Sequence, residues 1–180
     1  AEPPTCDITT SDGKYMWIQD PDNVLGLQEF TLAVRFRRTG RGVDSNTGSG
    51  GVVGEPLLTK GRGEADGSNV DMNWALFICD DGGSLRLCAD LESYENGQNY
   101  PITASSGDII DGVWHVAAVT FERWPLVEPT WSIYLDGVRV ARSSIQAGAG
   151  TPVEPRYDSL QWAAVGSALN SGGTALGFFN

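Results

Sequence analysis

Hydrophobic residues along this chain recur mainly with a period of two. In residues 29–37 apolar and mostly polar positions alternate, and residues 113–122 form a longer run rich in β-branched and aromatic side chains. Alternation of this kind predicts half-buried strands, whereas an amphipathic helix needs a period near 3.6 residues. We find no convincing helical segment, so the pattern favours an all-β chain.

Tight turns separate several of these segments. Asp-Gly at 136–137 is the strongest hairpin signal, because a two-residue turn needs positive φ angles that this pair tolerates. A second hairpin is predicted around residues 80–83. The strands that flank the two turns are 130–135 with 138–143 and 73–79 with 84–91, and shorter strands are predicted at 15–18, 57–60, 160–165 and 174–179.

About nine or ten short strands without helical crossovers are typical of an antiparallel sandwich or barrel in one domain. Three long connections interrupt the pattern: the Gly-rich segment 38–56, the polar segment 61–73 and the segment 142–159. Connections of this length are either functional loops or plain surface insertions. The sequence leaves both interpretations open.

Charge narrows the choice of partner. The 180 residues include 12 basic and 23 acidic side chains, which gives a net charge of −11. This balance argues against nucleic acid or an anionic membrane as the main partner. The uncharged stretch 159–180 carries polar residues throughout, so no membrane insertion is predicted.

The three cysteines predict one disulfide and one remaining thiol. Cys79 and Cys88 flank the predicted hairpin within bridging range, so we expect them to pair. Alternatively, Cys6 pairs with one of them and attaches the N-terminal arm to the sheet. The chain begins at Ala1, as after signal-peptide removal or after trimming, and we expect an extracellular, secreted or cell-surface protein.

The order of these segments resembles a known family. Its most specific markers are Gly-Val-Trp-His-Val-Ala-Ala-Val-Thr-Phe at 112–121 and Ile-Tyr-Leu-Asp-Gly at 133–137. Both resemble the laminin-G-like, concanavalin-A-like group of jelly-roll domains, and the likeness extends over residues 11–179. It implies an antiparallel two-sheet jelly-roll sandwich at 11–180, preceded by an N-terminal arm at 1–10.

Domains of that group usually continue after a Gly-Phe segment into a last strand beside the first one. This sequence stops at Asn180, so the jelly roll would lack its last strand within the chain. One interpretation is an open sheet edge that accepts a strand from another chain, in a homo- or hetero-assembly. The other is that the sequence is incomplete.

No residues predict catalysis. His115 is the only histidine, and its place in an apolar strand favours a hydrogen-bonded structural role over a nucleophile set or a zinc site. Glycan-cleaving enzymes of this fold need two carboxylates on one strand face. Asp90 and Glu92 alternate onto one face, but they lie at a strand end without surrounding aromatic residues. We therefore predict a protein that is not an enzyme.

Calcium is the candidate cofactor. Asp66, Asn69 and Asp71 offer three oxygen-bearing side chains within one short loop, and hard cations bind such oxygens. The resemblance adds that related domains often hold calcium at a loop rim. The alternative is a solvated acidic loop.

Aromatic residues in loops are candidates for ligand binding. Trp124 lies in a Pro-flanked loop, where it either contacts a sugar or protein or folds over one end of the sandwich. Tyr94, Asn96 and Tyr100 in a polar loop are further candidates.

Basic residues are concentrated around one predicted strand. Arg35 and Arg37 share a strand face and, with Arg38 and Arg41, form a basic patch on an acidic protein. They either pair with acids on neighbouring strands or meet an acidic partner.

The sequence therefore predicts a secreted, non-catalytic recognition or adhesion module that binds glycan or protein through rim loops. One alternative is a structural subunit of an extracellular filament, surface layer or virion, assembled through strand or edge contacts. Another alternative is a glycan-cleaving enzyme.

Overall fold

The computed structural model describes residues 14–63, 72–124, 128–145 and 153–180, and its regular elements are all strands. The all-β prediction is confirmed, and these ranges contain no helix that could cross a membrane. The strands are β1 (Met16–Ile18), β2 (Phe30–Arg37), β3 (Ser45–Asn46), β4 (Val53–Lys60), β5 (Trp74–Asp81), β6 (Ser84–Leu91), β7 (Ile102–Thr103), β8 (Trp114–Glu122), β9 (Thr130–Leu135), β10 (Val138–Ser144), β11 (Ala163–Val165), β12 (Ser167–Leu169) and β13 (Ala175–Phe178).

Two antiparallel sheets form the body of the fold. The larger sheet has the strand order β1-β11-β4-β5-β6-β7, with β3 paired beside β4, and the smaller sheet has the order β10-β9-β8-β2. A separate two-stranded ribbon consists of β12 and β13. Hairpins join consecutive strands such as β5 and β6, whereas β2 pairs with the distant β8. This mixture of hairpins and long connections is that of a jelly-roll sandwich.

The core lies between the two sheets, because the inward positions of both are apolar. Leu76 of the larger sheet and Val119 of the smaller sheet are fully buried in it. At one end the rings of Phe30, Phe121 and Trp131 pack with centroids 5.3–5.8 Å apart. Burial of large rings supplies much of the stabilising free energy of a sandwich.

Strand β8 occupies an inner position of the smaller sheet, between β2 and β9. Its apolar residues on both faces suggest a strand that is buried on both sides, as in the middle of a doubly covered sheet. That expectation is wrong for the outer face, where Trp114 is 41% and Val116 is 45% exposed. The smaller sheet therefore shows an uncovered outer surface.

The two predicted hairpins form as expected. Asp136 and Gly137 both have positive φ, at 51° and 81°, in the turn between β9 and β10. In the other hairpin Asp81 pairs with Ser84, which makes residues 82–83 the turn. That register places Cys79 and Cys88 diagonally across the hairpin with their Cα atoms 6.0 Å apart, and the predicted disulfide between them is confirmed.

The connection 38–56 is more regular than its sequence suggests. It contains β3 and the first residues of β4, which pair with each other at the N-terminal end of β4. Val52 then packs with Phe77 and the disulfide in a second apolar cluster on the outer face of that sheet. This connection thus covers the outer face and is no plain surface insertion.

A buried ion pair attaches the segment before β2 to the larger sheet. The Nζ of Lys60, which is fully buried, lies 3.0 Å from Asp20 Oδ2 and donates a hydrogen bond to the Gln161 carbonyl oxygen at 2.9 Å. Asp20 also accepts hydrogen bonds from the Val24 and Leu25 N–H groups. Burial alone would raise the pKa of Asp20, but these bonds and the ammonium hold it below its ordinary value.

Sheet edges remain uncovered in the described part of the chain. β1 ends the larger sheet, and β2 and β10 end the smaller one. Trp17 of β1 is 54% exposed and stacks on Trp162. Assembly through such an edge stays a prediction, and the N-terminal arm at 1–10 with Cys6 lies outside the described residues.

Candidate functional site

A polar cleft of about 450 Å³ lies at the rim of the larger sheet, where β6 ends. Its volume falls within the range of roughly 300–1,000 Å³ that is usual for small-molecule sites. One wall comes from the segment between β3 and β4, and the other from the turn that follows β6. The lining residues are 47–50, Gly63, Glu92 and 96–99.

The first wall is a turn held by Thr47. The Thr47 N–H donates to the Val52 carbonyl oxygen at 3.1 Å, and the Val52 N–H donates to Thr47 Oγ1 at 2.8 Å. Gly51 is required here, since a Cβ atom would overlap the Thr47 hydroxyl and lie 2.6 Å from Asp90 Oδ2. This turn leaves Ser49 and Gly50 exposed at the mouth of the cleft.

The second wall is the turn at 96–99. Asn96 Oδ1 accepts the Gln98 N–H at 3.0 Å, and Asn96 Nδ2 lies 3.3 Å from the Tyr100 hydroxyl. Asn99 Nδ2 donates to the Ser49 carbonyl oxygen at 3.0 Å, which connects the two walls. A hydrogen bond between the two walls therefore helps to hold the cleft in shape.

Glu92 forms the floor. Its side chain accepts the Met72 N–H at 3.2 Å, and the residue is only 6% exposed. Gly63 also lines the cleft, and its backbone lies close to that of Gly48. A Cβ atom at position 63 would lie 2.5 Å from the Gly48 nitrogen. Glu92 thus adds carboxylate oxygens, which accept hydrogen bonds from hydroxyl groups, to the lining of the cleft.

Asp90 lies behind the cleft wall. It is fully buried, and Thr47 donates its hydroxyl to Asp90 Oδ2 at 2.5 Å. Burial raises the pKa of Asp90 to about 7, and the hydrogen bonds from Thr47 and from backbone N–H groups oppose this only in part. Asp90 and Glu92 are therefore on the same side of the strand but in different surroundings.

The structure brings together only some of the predicted ligand-binding residues. Asn96 lines the cleft, and Tyr100 supports it through its hydroxyl. Tyr94 does not line it: its ring stacks on Tyr157 with centroids 4.9 Å apart and lies beneath the Arg156 guanidinium.

Trp124 is 69% exposed and does not fold over the end of the sandwich. Its neighbour Arg123 forms an ion pair with Glu154, whose carbonyl oxygen accepts the Tyr94 N–H. Trp124 thus lies at the same end of the sandwich as Tyr94 but outside the cleft.

The basic patch contains fewer free arginine side chains than the sequence predicts. Arg35 and Arg37 lie on the outer face of the smaller sheet, away from the cleft. Grouping Arg38 with them is wrong, because it is 4% exposed and pairs with Glu55 and Asp111 at 2.7 and 2.5 Å. Arg41 pairs with Asp44.

The predicted calcium ligands Asp66, Asn69 and Asp71 lie outside the described residues, as does the whole segment 64–71. This segment begins and ends beside the cleft, at Gly63 and Met72. Within the described ranges no group of three or more His, Cys, Asp or Glu side chains is arranged for a metal ion. Calcium therefore stays a prediction.

His115 has the structural role expected of it. Its Nε2 accepts the Ile110 N–H at 3.3 Å, so the Nδ1–H donates to Asp136 Oδ2 at 2.8 Å. Burial alone would raise the pKa of Asp136, but the bonds from His115 and the Val116 N–H hold it below its ordinary value. These contacts brace the β9–β10 turn and give both ring nitrogens a partner.

Sequence patterns did not point to Thr47, Ser49 and Gln98 as members of one site. Each is a common turn residue, and the two walls come from segments that lie 50 residues apart in the chain at their connecting hydrogen bond. One sequence feature did indicate the position of the cleft. Asp90 and Glu92 alternate onto one strand face, close to where the two walls meet.

Chemically, the cleft offers a carboxylate, amide groups, a hydroxyl and backbone groups in a fixed arrangement. Such a set donates and accepts hydrogen bonds in many directions and suits a ligand with several hydroxyl groups.

A family model agrees with this fold. The chain is similar in structure to an endo-β-1,4-glucuronan lyase from the fungus Trichoderma reesei, with 13% identity and a TM-score of 0.38, over 86% of this chain and 67% of that one. None of the curated proteins compared with the chain matches it. The model of the concanavalin A-like lectin/glucanases superfamily matches residues 12–173. The chain therefore belongs to the concanavalin A-like lectin/glucanase superfamily.

Proposed function

We propose that this protein is a secreted, non-catalytic recognition module that binds a glycan in the rim cleft. The observation that carries the proposal is the cleft itself, in which two loops place polar groups around the carboxylate of Glu92. A site of this size and polarity matches a small polyhydroxylated ligand better than an apolar one. Membership of a lectin/glucanase superfamily supports a carbohydrate-related role.

The absence of catalysis is part of the proposal. Glycoside hydrolysis needs two carboxyl groups that both reach the scissile bond. Among the described residues of the cleft only Glu92 presents a carboxylate, while Asp90 lies fully buried behind Thr47. The pair is therefore not arranged around a common substrate position.

A glycan-cleaving enzyme is the second candidate, and one observation favours it. Asp90 has a pKa of about 7 and lies on the same side of the strand as Glu92, which resembles the environment of a general acid. Incubation with a panel of polysaccharides decides the point. Release of reducing ends that disappears in Glu92→Gln would establish the enzyme, and we expect no release.

The disulfide between Cys79 and Cys88 supports secretion, because such bonds persist in oxidising compartments. Calcium at Asp66, Asn69 and Asp71, which lie outside the described residues, enters the proposal from the sequence alone. Glycan binding is therefore to be measured both with calcium and with a chelator.

Blocking the cleft is expected to weaken glycan binding strongly. Ser49 is exposed at the mouth, so Ser49→Trp fills the entrance and should weaken binding on a glycan array by about tenfold or more. Ser106→Trp, at an exposed position outside the cleft, is the matched control and should bind like the native chain. Equal binding by both variants would exclude the cleft as the binding site.

A further inference from the structure

The outer face of the smaller sheet carries the second notable surface of this protein. Exposed arginines stand on its two edge strands, Arg35 and Arg37 on β2 and Arg139 and Arg142 on β10. Between them the inner strands present Trp114, Val116, Ala118 and Tyr134. We name this surface, formed by these eight residues, the arginine face.

The register aligns the two kinds of residue across the sheet. Arg37 lies opposite Trp114, and Arg35 lies opposite Val116. On the other side Tyr134 pairs with both Ala118 and Arg139. A mostly apolar strip therefore runs along the middle of the face. Arg35 and Arg37 lie beside the end of it that carries Trp114, and Arg139 and Arg142 lie on the other side, further along the strands.

These arginines differ from the others in having no acidic partner in the described part of the chain. Five arginines elsewhere each contact a carboxylate: Arg38, Arg41, Arg86, Arg123 and Arg156. Off the arginine face, only Arg62 lacks such a contact among the described residues. A protein with a net charge of −11 thus has four arginines on one surface that contact no carboxylate of the described residues.

Two of the four are already positioned for an anion. The guanidinium of Arg35 lies 4.3 Å and that of Arg37 5.4 Å from the centroid of the Trp114 ring. Stacking restrains the planar groups while their N–H edges stay free to bind a carboxylate or sulfate. Less side-chain entropy is then lost when the ligand binds.

The dimensions of the face favour a narrow ligand. Three strand spacings separate β2 from β10, which is about 14 Å, and the strands are about 26 Å long. The resulting area of about 400 Å² is half of the roughly 800 Å² that each partner contributes to a stable protein interface. A polymer chain lying along the strands needs no more than this area.

We propose that the arginine face binds an acidic polysaccharide through its carboxylate or sulfate groups, with the apolar strip against the sugar rings. The negative charge elsewhere on the protein opposes this little at physiological salt, where charges beyond about 8 Å are screened. The site is separate from the rim cleft and does not rest on the function proposed for it.

The test measures binding of polygalacturonate, dextran sulfate and neutral dextran. We expect the two acidic polymers to bind and neutral dextran not to bind. The double variant Arg35→Gln/Arg139→Gln should weaken acidic-polymer binding by about tenfold, and each removed arginine should reduce the salt dependence by roughly one unit of the log–log slope. Arg41→Gln removes one positive charge at an exposed arginine off the face and should leave binding unchanged.

Several results would overturn the proposal. One such result is that neither acidic polymer binds to the protein. Another is that the double variant and Arg41→Gln bind the acidic polymers equally well. Binding of polyglutamate without the polysaccharides would identify an acidic protein as the partner, and self-association that the double variant abolishes would identify a second copy of the chain. Ser49→Trp should keep acidic-polymer binding, so failure of this site and failure of the cleft are distinguishable.

Discussion

Replacing Lys60 by Met is expected to lower the free energy of unfolding by about 3–5 kcal/mol, because it leaves the Asp20 carboxylate buried without its cation. Lys60 is fully buried and Asp20 nearly so, and their charged atoms lie 3.0 Å apart. Urea unfolding of the native chain and the variant measures the difference. The pair loses this contribution in acid. A carboxyl group whose pKa is lower in the folded protein than in the unfolded chain stabilises the fold fully only above its unfolded pKa. For Asp20 this stabilisation is lost as the pH falls through its depressed folded pKa.

A second substitution separates the ion pair from packing. Asp20→Asn in the Lys60→Met background removes the unpaired charge while an amide oxygen still accepts the Val24 or Leu25 N–H. We expect the double variant to recover most of the lost stability. Arg41→Gln removes an exposed ion pair and should change stability by less than about 0.5 kcal/mol. A loss of less than about 1 kcal/mol in Lys60→Met would contradict the interpretation.

Raising the pH from 4 to 8 is expected to stabilise Asp90→Asn relative to the native chain by up to about 4 kcal/mol. The folded pKa of Asp90 is about 7, against 3.8 for the free side chain. Each unit of pKa difference corresponds to about 1.4 kcal/mol. Asn is neutral at every pH and still offers an oxygen to the Thr47 hydroxyl.

The sign of the pH dependence follows from this raised pKa. The folded state holds the Asp90 proton more tightly than the unfolded state, so the native chain loses stability as the pH rises from about 4 to about 7. The advantage of Asp90→Asn should therefore disappear near pH 4. Urea unfolding at pH 4, 6 and 8 measures it, with the exposed Asp22→Asn as the control variant. If the free energies of unfolding of Asp90→Asn and the native chain differ by the same amount at pH 4 and at pH 8, Asp90 does not ionise as described.

Much of the fold could be predicted because it depends on local patterns. The alternation in β2, the Asp-Gly turn at 136–137 and the disulfide between Cys79 and Cys88 each depend on neighbouring residues or on one hairpin. The two-residue turn at 82–83 sets the register that brings the cysteines together. Such features follow from short-range geometry.

Features that depend on distant pairing were missed. The Gly-rich connection 38–56 shows little alternation, and its strands form because β3 and β4 pair and Val52 finds the apolar outer face of the larger sheet. The cleft likewise joins residues 47–50 to 96–99 through the bond from Asn99 to Ser49. No local pattern reports that these segments meet.

The candidate residues show the same limit. Asn96 could be identified as a polar loop residue, but only the structure places it in a cleft with Glu92. Arg35 and Arg37 share a strand face in sequence and in structure, whereas Arg38 turns inward to Glu55. The burial of Arg38 depends on an acidic residue of β4, a long-range contact that periodicity does not report.

The central claim is that a glycan occupies the rim cleft. The most direct measurement is the change in backbone amide NMR shifts when a glycan identified on the array is titrated into the labelled protein. We predict that the largest changes fall on residues 47–50 and 96–99, and that Ser49→Trp removes them. Changes confined to other surfaces, or none at saturating glycan, would contradict the account.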